Sequence, residues 1–176
     1  MSGKKCLVTG ASRGIGKAIV KRLLEAGSIV VASASSANGL SALKSEFSEF
    51  GENLFVIRAD LSLQSEVKLL CESVTTVLGA IDVLINNAGI LCLESLQNSS
   101  EERLRKSFEV NFFSAFALSR YFSQAMVSNK QGSIINMCSS SAYTGGGAPE
   151  HCIYASTKHA LLGLTRALDE ELRHHN

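Results

Sequence analysis

Prolines and paired cysteines are scarce in this sequence. It contains a single proline and five cysteines, and no two cysteines have the Cys-x-x-Cys spacing. An odd number of cysteines without paired spacing argues against a disulfide framework and against a zinc site, so we expect reduced thiols and no bound metal. The cysteines are Cys6, Cys71, Cys92, Cys138 and Cys152.

Long apolar runs and an excess of charge of one sign are also missing. No stretch approaches the roughly 18 apolar residues that cross a bilayer, and the apolar run at 6–8 is too short for a signal peptide. The net charge of +1 gives no long-range field that would attract nucleic acid or an anionic membrane. We therefore expect a cytoplasmic globular protein with no nucleic-acid or membrane partner.

Short apolar runs alternate with helical patterns along the whole chain. Runs rich in Val and Ile predict five strands, at 5–9, 28–33, 54–58, 82–86 and 133–137. Apolar residues at helical spacing predict five helices, at 15–26, 40–50, 65–78, 100–128 and 156–173. The alternation indicates an α/β fold in which helices cover both faces of one parallel sheet. No repeat or domain boundary is visible, so we expect 1–176 to form one domain.

The first predicted strand leads into a glycine-rich turn, Thr9-Gly10-Ala11-Ser12-Arg13-Gly14-Ile15-Gly16. At a strand-to-helix junction, glycines let the backbone approach a dinucleotide pyrophosphate, and the helix N-terminus offers free N–H groups and a positive dipole. The spacing G-x-x-x-G-x-G differs from the common G-x-G-x-x-G, and glycines also serve as ordinary turn residues. The position of the turn within a βαβ unit favours cofactor binding.

The end of the second predicted strand bears on which nicotinamide cofactor binds. NAD sites usually place an acidic residue there, which accepts hydrogen bonds from the ribose 2′-hydroxyl. The segment 34–39 contains no acid. Small hydroxyls such as that of Ser35 would leave room for a 2′-phosphate and could donate hydrogen bonds to it, and Arg13 could neutralise its charge. We therefore predict NADP(H) in preference to NAD(H); the alternative is that 35–39 is only a polar turn.

Tyr154 and Lys158 are four residues apart, so on a helix their side chains share one face. A phenol with an ordinary pKa of about 10 is a poor base at neutral pH, but a nearby ammonium favours the phenolate. Tyr154 could give a proton to a carbonyl oxygen as hydride reaches the carbon, or take a proton from an alcohol in the reverse direction. By itself the spacing is common, and an exposed helix pair is the alternative interpretation.

Four motifs together resemble the short-chain dehydrogenase/reductase family, in the order and close to the spacing of that family. They are the turn at 9–16, Asn86-Asn87-Ala88-Gly89, a serine-rich strand end at 138–141, and Tyr154-x-x-x-Lys158. The resemblance implies a Rossmann-type doubly wound sheet of order 3-2-1-4-5. It also implies an NADP(H)-dependent oxidoreductase acting on a small carbonyl or alcohol substrate, most similar to 3-oxoacyl-carrier-protein reductases and carbonyl reductases.

The resemblance also implies roles for individual residues. Tyr154 would be the general acid/base, and Lys158 would support it while binding the nicotinamide ribose, so both residues are also cofactor-binding. Asn111 would anchor a proton-relay water. The other cofactor-binding positions are Gly10, Ser12, Arg13, Ile15, Gly16, Ser35, Asp60, Leu61, Asn87, Ala88 and Gly89.

The serine that would orient the substrate has two candidates. The strand register from Asn136 indicates Ser139, whereas the family's usual interval back from Tyr154 indicates Ser141. We choose Ser139, because strand register is better fixed than loop length. The loop containing 145–147 would then be slightly longer than usual, and Cys138 is interpreted as a packing residue.

Members of the family continue with a sixth strand, a Pro-Gly motif and a seventh strand, whereas this sequence ends at Asn176. We therefore expect a domain that is incomplete at its C-terminus and leaves a sheet edge exposed. Two hypotheses follow: an active reductase or dehydrogenase in its full form, or a non-catalytic chain that binds cofactor or dimerises to modulate a full-length partner. The resemblance also implies a homodimer or homotetramer formed through the helices at 100–128 and 156–173.

Overall fold

Five parallel strands form the centre of the computed structural model, which describes residues 1–144 and 149–175. They are β1 (Lys5–Thr9), β2 (Ile29–Ala34), β3 (Leu54–Arg58), β4 (Val83–Asn86) and β5 (Ser133–Asn136). Their order across the sheet is β3-β2-β1-β4-β5, and each neighbouring pair is parallel. The predicted fold class and strand order are confirmed. The order reverses between β1 and β4, which is where α/β sheets form a ligand-binding crevice.

The helices lie between and after these strands. They are α1 (Gly14–Glu25), α2 (Ala37–Glu46), α3 (Gln64–Leu78), α4 (Glu101–Phe108), α5 (Ser114–Ser128), α6 (Ser141–Thr144) and α7 (Cys152–Leu172). Short 3₁₀ segments occupy Ser48–Asn53 and Arg173–His175, and a π-helical turn occupies Glu109–Phe113.

Side chains that alternate along the strands build a core on each face of the sheet. On β1, Leu7 packs with residues of α3 and α5, whereas Cys6 and Val8 pack with residues of α1 and α2. This alternation follows from the two-residue period of a strand. Because both faces of the strands are buried, their sequences are almost continuously apolar, as the sequence pattern indicated.

Several helix boundaries differ from the prediction. The helix expected at 100–128 is α4 and α5 joined by the π-helical turn, in which the N–H of Ser114 donates to the carbonyl oxygen of Glu109. The predicted start of the last helix at 156 is wrong, because α7 begins at Cys152. Helix α2 begins earlier than predicted because the Ser36 hydroxyl accepts a hydrogen bond from the N–H of Gly39.

The outer strand β5 is exposed, in contrast to its neighbour. All four residues of β4 are buried, whereas those of β5 alternate between exposed and half-buried. Ile135 retains 45% exposure. Among residues 1–144 and 149–175, β5 pairs only with β4, so one row of its backbone N–H and C=O groups lies at the edge of the sheet, which is the arrangement to which another strand can add.

Helix lengths, possible metal ligands and the state of the cysteines are three further features of the fold. Within 1–144 and 149–175, no helix is both long and apolar enough to cross a membrane. The same residues contain no group of three or more His, Cys, Asp or Glu side chains placed to hold a metal ion. The cysteines are free thiols; Cys6, Cys71 and Cys92 are buried, and Cys152 is exposed.

Candidate functional site

Glycines allow the turn after β1 to approach the turn after β4. Gly10 has a φ of 63°, and a Cβ added there would lie 2.7 Å from the Cα of Ala88. A Cβ on Gly16, at the start of α1, would overlap the carbonyl oxygen of Gly10. Gly14 also has a positive φ, 55°, but a Cβ there would meet no atom within 4 Å. Close packing therefore requires Gly10 and Gly16, whereas only backbone conformation favours Gly14.

Hydrogen bonds hold these two turns together. The amide of Asn87 donates to the carbonyl oxygens of Thr9, at 2.9 Å, and of Gly10, at 3.1 Å. The backbone N–H groups of Asn87 and Ala88 both donate to Thr9 Oγ1, each at 3.1 Å. The cradle between the turns is thus fixed by the protein's own contacts, as in most preformed ligand sites.

A cleft of roughly 660 Å³ opens between these turns, along the C-terminal ends of the strands. The predicted cofactor-binding positions line it, except Tyr154 and Lys158, which lie on α7. An elongated ligand could place its phosphates at the N-terminus of α1, where free N–H groups and the helix dipole favour anions. Gly14 and Ala34, which belong to the segments singled out in the sequence, also line it, and further lining residues that the sequence did not indicate are Ser33, Ala59, Ile90, Lys106 and Val110.

Asp60 and Lys106 bring opposite charges to this cleft. The Asp60 carboxylate accepts hydrogen bonds from the N–H of Ser62 at 3.0 Å and from its hydroxyl at 2.7 Å. These two bonds hold the pKa of Asp60 below its usual range, and the ammonium of Lys106 acts in the same direction. Asp60 is therefore an oriented, ionised acceptor for an N–H group of a ligand.

The end of β2 places the Ser33 hydroxyl at the cleft, and helix α2 begins just beyond it. The hydroxyl of Ser33 is buried and has no hydrogen-bond partner in the part of the chain that the structure describes. Helix α2 begins at Ala37, and a Cβ on Gly39 would lie 2.8 Å from the Cβ of Ser12. The first turn of α2 thus packs against the glycine-rich turn, and an anion between them would meet a hydroxyl and a positive helix end.

Asn111 connects the loop after β4 to helix α7. It lies in the π-helical turn and is 1% exposed. Its Oδ1 accepts from the N–H of Ile90 at 2.8 Å, and its Nδ2 donates to the carbonyl oxygen of Ile90 at 2.9 Å and to Thr157 Oγ1 at 3.0 Å. The Thr157 hydroxyl donates in turn to the carbonyl oxygen of Tyr154 at 2.8 Å. The Thr157 hydroxyl therefore links the side chain of Asn111 to the backbone of Tyr154.

Tyr154 and Lys158 share one face of α7, as their spacing predicted. Lys158 is 4% exposed, its Nζ lies 5.8 Å from the centre of the Tyr154 ring, and it donates to the carbonyl oxygen of Met137 at 2.7 Å. Burial lowers the pKa of Lys158, partly opposed by the nearby Cys138 thiol. A Cβ on Gly89 would lie 3.6 Å from the same Nζ. The ammonium thus lies beside the tyrosine and beside a turn that lines the cleft.

Ser139 and Ser141 differ in their surroundings. Ser139 is half-buried and follows Cys138, whose thiol lies 3.4 Å from the carbonyl oxygen of Lys158. Its Oγ accepts from the N–H of Ser141 at 3.2 Å, which leaves the hydroxyl proton of Ser139 available. Ser141 is packed at the start of α6, with 7% exposure. The choice of Ser139 stays a prediction, and the loop at 145–147, which bears on it, lies outside the described residues.

Among the residues that the sequence reasoning missed, Thr157, Met137 and Lys106 bring hydrogen bonds or charge to the site. Thr157 lies between the two motif residues of α7, where a hydroxyl on a helix ordinarily signals nothing beyond a local backbone bond. Met137 contributes only its carbonyl oxygen, so its side-chain type carries no signal. Lys106 resembles any exposed charge on α4, and only the packing of α4 over the cleft distinguishes it.

Comparison with known sequences identifies a matching family and several relatives of this chain. The family model for short chain dehydrogenases matches residues 4–176. A 3-oxoacyl-[acyl-carrier-protein] reductase of Escherichia coli K12 is 34% identical over 170 residues, which cover 97% of this chain and 68% of the relative. A 3β-hydroxysteroid dehydrogenase of Eggerthella lenta is 33% identical over 171 residues, covering 94% of this chain and 64% of the relative.

Solved structures give the same fold. A short-chain dehydrogenase from Streptomyces avermitilis superposes with a TM-score of 0.92 at 28% identity, covering 100% of this chain and 63% of that protein. A metagenomic short-chain oxidoreductase in complex with NADP also gives 0.92, at 33% identity, covering 99% of this chain and 78% of that protein. The chain thus spans less than two thirds of the length of the Eggerthella relative and of the Streptomyces structure.

Proposed function

This chain belongs to the short-chain dehydrogenase family, as its motifs indicated, and we propose that it interconverts a ketone or aldehyde and the corresponding alcohol with a nicotinamide cofactor. One observation carries the proposal: the buried ammonium of Lys158 lies beside both the Tyr154 ring and the cleft-lining turn at Gly89. Burying a charge is costly, so a position between a phenol and a ligand cleft suits a group that serves chemistry.

The residues of the cradle fit a dinucleotide. Gly10 and Gly16 leave no room for a side chain where phosphates would approach the backbone, and Ser33 offers an unused hydroxyl in the same cleft. In this proposal Asp60 and Leu61 contact the adenine, and Asn87 to Gly89 contact the adenosine ribose. When bound, the nicotinamide supplies or accepts the hydride.

Residues of this chain transfer the proton to and from the substrate oxygen. In the reducing direction the phenol of Tyr154 gives its proton to the carbonyl oxygen as hydride reaches the carbonyl carbon; in the oxidising direction its phenolate takes the proton from the alcohol. Lys158 stabilises the phenolate and binds the nicotinamide ribose, and the Ser139 hydroxyl orients the carbonyl oxygen. Asn111 holds α7 and the loop after β4 together, and in this proposal it also anchors a proton-relay water.

We further propose that NADP(H) is preferred over NAD(H). Support comes from the end of β2, where Ser35 lines the cleft in place of an acid and α2 begins two residues later. A 2′-phosphate there would meet hydroxyls, a positive helix end and the guanidinium of Arg13. Titrating NADPH and NADH by nicotinamide fluorescence tests this preference; tighter binding of NADH would contradict it.

The substitution Tyr154→Phe tests the proposed chemistry. It removes the hydroxyl and keeps the ring, so turnover should fall by at least about a hundredfold while NADPH binding persists. Tyr143→Phe is a matched control, because Tyr143 is 67% exposed on α6 and carries no proposed role. Equal turnover of the Tyr154→Phe protein and the wild type would refute the assignment of Tyr154.

A second candidate function is a non-catalytic chain that binds cofactor or dimerises to modulate a longer partner. The exposed edge of β5 favours it, since an added strand could complete the sheet there. This candidate predicts association without turnover. Turnover of a ketone by purified, monomeric 1–176 would rule it out.

The names of the two relatives suggest the kind of substrate. One reduces a 3-oxoacyl group on a carrier protein and the other is named for a 3β-hydroxysteroid. Each name describes a carbonyl or hydroxyl carbon on a larger hydrocarbon skeleton. For this chain we propose a small carbonyl or alcohol substrate, 3-oxoacyl compounds included.

A further inference from the structure

The segment that follows Ile90 exposes three leucines. Leu91 and Leu93, which we call the leucine rim, are 60% and 45% exposed, and Leu96, further along, is 69% exposed. Cys92, between the first two, is 5% exposed. This alternation is that of an extended chain, so Leu91 and Leu93 project from the same side, away from the protein interior.

The leucine rim is held at both ends next to the candidate active site. At its start, both backbone groups of Ile90 bond to the side chain of Asn111. Further along, the N–H of Glu94 donates to the carbonyl oxygen of Glu150 at 2.9 Å. The carboxylate of Glu94 also pairs with Arg103 of α4. The rim therefore runs from the cofactor cleft to the residues just before α7, the helix that carries Tyr154.

The chemistry of the rim is apolar. Between Ile90 and Leu93 no side chain carries a charge or a strong hydrogen-bonding group. Exposed leucines are ordinary when scattered singly, as Leu69 is on α3. Two on the same side of a pinned segment, continuous with a ligand cleft, instead form a surface that gains by contact with hydrocarbon.

We propose that the substrate carries an aliphatic chain that packs on the leucine rim while its carbonyl group reaches Tyr154 and Ser139. The inference rests on the proposed function and adds the substrate class: carbonyl compounds with an alkyl chain, in preference to sugars and other polyols. Each methylene buried on the rim should strengthen binding about three- to fourfold. A polyol of equal length would lose water without gaining hydrogen bonds.

Binding of 2-butanone, 2-hexanone and 2-octanone to the protein in excess NADP⁺ tests the proposal, because a ketone and an oxidised cofactor cannot react. Calorimetry should show affinity rising about tenfold for each pair of added methylenes, and dihydroxyacetone binding more weakly than 2-butanone. The double variant Leu91→Ser/Leu93→Ser should lose at least half of this dependence on chain length. Leu69→Ser, an equally exposed leucine on α3, should keep it.

Any one of three results would contradict the proposal that the substrate packs on the leucine rim. These are that no ketone binds, that affinity is independent of chain length, or that the double variant keeps the full dependence of affinity on chain length. Circular dichroism and NADPH titration of each variant establish that fold and cofactor site are intact. Turnover with NADPH is measured separately. Turnover without chain-length dependence would contradict substrate packing on the leucine rim but would support the proposed chemistry. Binding that depends on chain length, without turnover, would support packing on the rim but would contradict the proposed chemistry.

Discussion

Gly10 and Gly14 share a left-handed backbone but differ in their surroundings, and alanine at each should separate the two effects. A left-handed alanine costs about 1–2 kcal/mol at either position. Alanine at Gly14 meets no neighbour, so Gly14→Ala should cost only that amount. Alanine at Gly10 would also press on the backbone of Ala88, which cannot rotate away, so Gly10→Ala should cost at least about 1 kcal/mol more.

Urea unfolding of both variants measures these costs, and NADPH titration reports on the cradle. Gly10→Ala should weaken NADPH binding, because relieving the contact with Ala88 moves the two turns apart. Gly14→Ala should affect NADPH binding less. If the two variants lose equal stability and equal NADPH affinity, the left-handed backbone conformation alone accounts for glycine at both positions, and the contact with Ala88 adds nothing.

The thiol of Cys71 should make the protein less stable at alkaline pH. Burial raises the pKa of this thiol to about 11 from an ordinary 9.0. Because the folded-state pKa is raised, the unfolded chain releases the proton first, and stability falls as pH rises between these two values. The loss from this one group amounts to about 1–2 kcal/mol by pH 10.5.

Cys71→Ala provides the measurement, through urea unfolding at several pH values from 7 to 10.5. Near pH 7 the variant should be less stable than wild type, because it loses core volume next to α5. The difference should narrow by about 1–2 kcal/mol as the pH rises. A difference that stays constant over this range would show that the Cys71 thiol is not responsible.

At the scale of the elements, the side chain of Asn111 ties the loop after β4 to the π-helical turn between α4 and α5. Asn111→Ala would leave both backbone groups of Ile90 without their partner, at the lower part of the range of about 1–3 kcal/mol for each, because both groups are only part-buried. We expect a total loss of about 3 kcal/mol in urea unfolding and faster hydrogen exchange at the Ile90 amide. Glu109→Ala, in the same turn, should cost less than about 1 kcal/mol. Similar losses in the two variants would show that the turn itself, not the asparagine, sets stability.

The elements were predictable to the extent that their signals are local. Each strand reads as an apolar run because both faces of the sheet are buried, and its place in the sequence was found to within a residue or so at each end. The π-helical turn was not foreseen, since Glu109 to Phe113 satisfy the same apolar period as the flanking helices. The early start of α7 was missed because the break lies at Glu150, where a non-glycine residue takes a φ of 67°.

At the scale of the whole molecule, the site was predictable because parallel strands end at one edge of the sheet. Residues as far apart in sequence as Gly10, Ser35, Asp60 and Ala88 line one cleft for that reason. Contacts made by backbone atoms, such as the Met137 carbonyl, have no sequence signal. Exposure is equally hidden, because nothing in the sequence indicates that the leucines after Ile90 lie on the surface.

The exposed aromatic residues around α5 bear on assembly. Phe113 and Phe116 are 49% and 43% exposed, and both rings contact Phe112. Apolar surface of this kind, on the helices expected to form the dimer, suits an isologous contact between two copies. We therefore predict a dimer of twice 18.8 kDa in light scattering.

Charge placed on each candidate surface should identify the interface. Phe116→Glu should weaken the dimer at least tenfold, because two copies of the new carboxylate would be desolvated at a two-fold contact. Leu69→Glu on α3 is the matched control and should leave the molar mass unchanged. Ile135→Lys tests the alternative in which β5 strands pair at the sheet edge, since a lysine on an edge strand opposes pairing. If Ile135→Lys dissociates the dimer and Phe116→Glu does not, the interface is formed by β5 at the sheet edge and not by the helices.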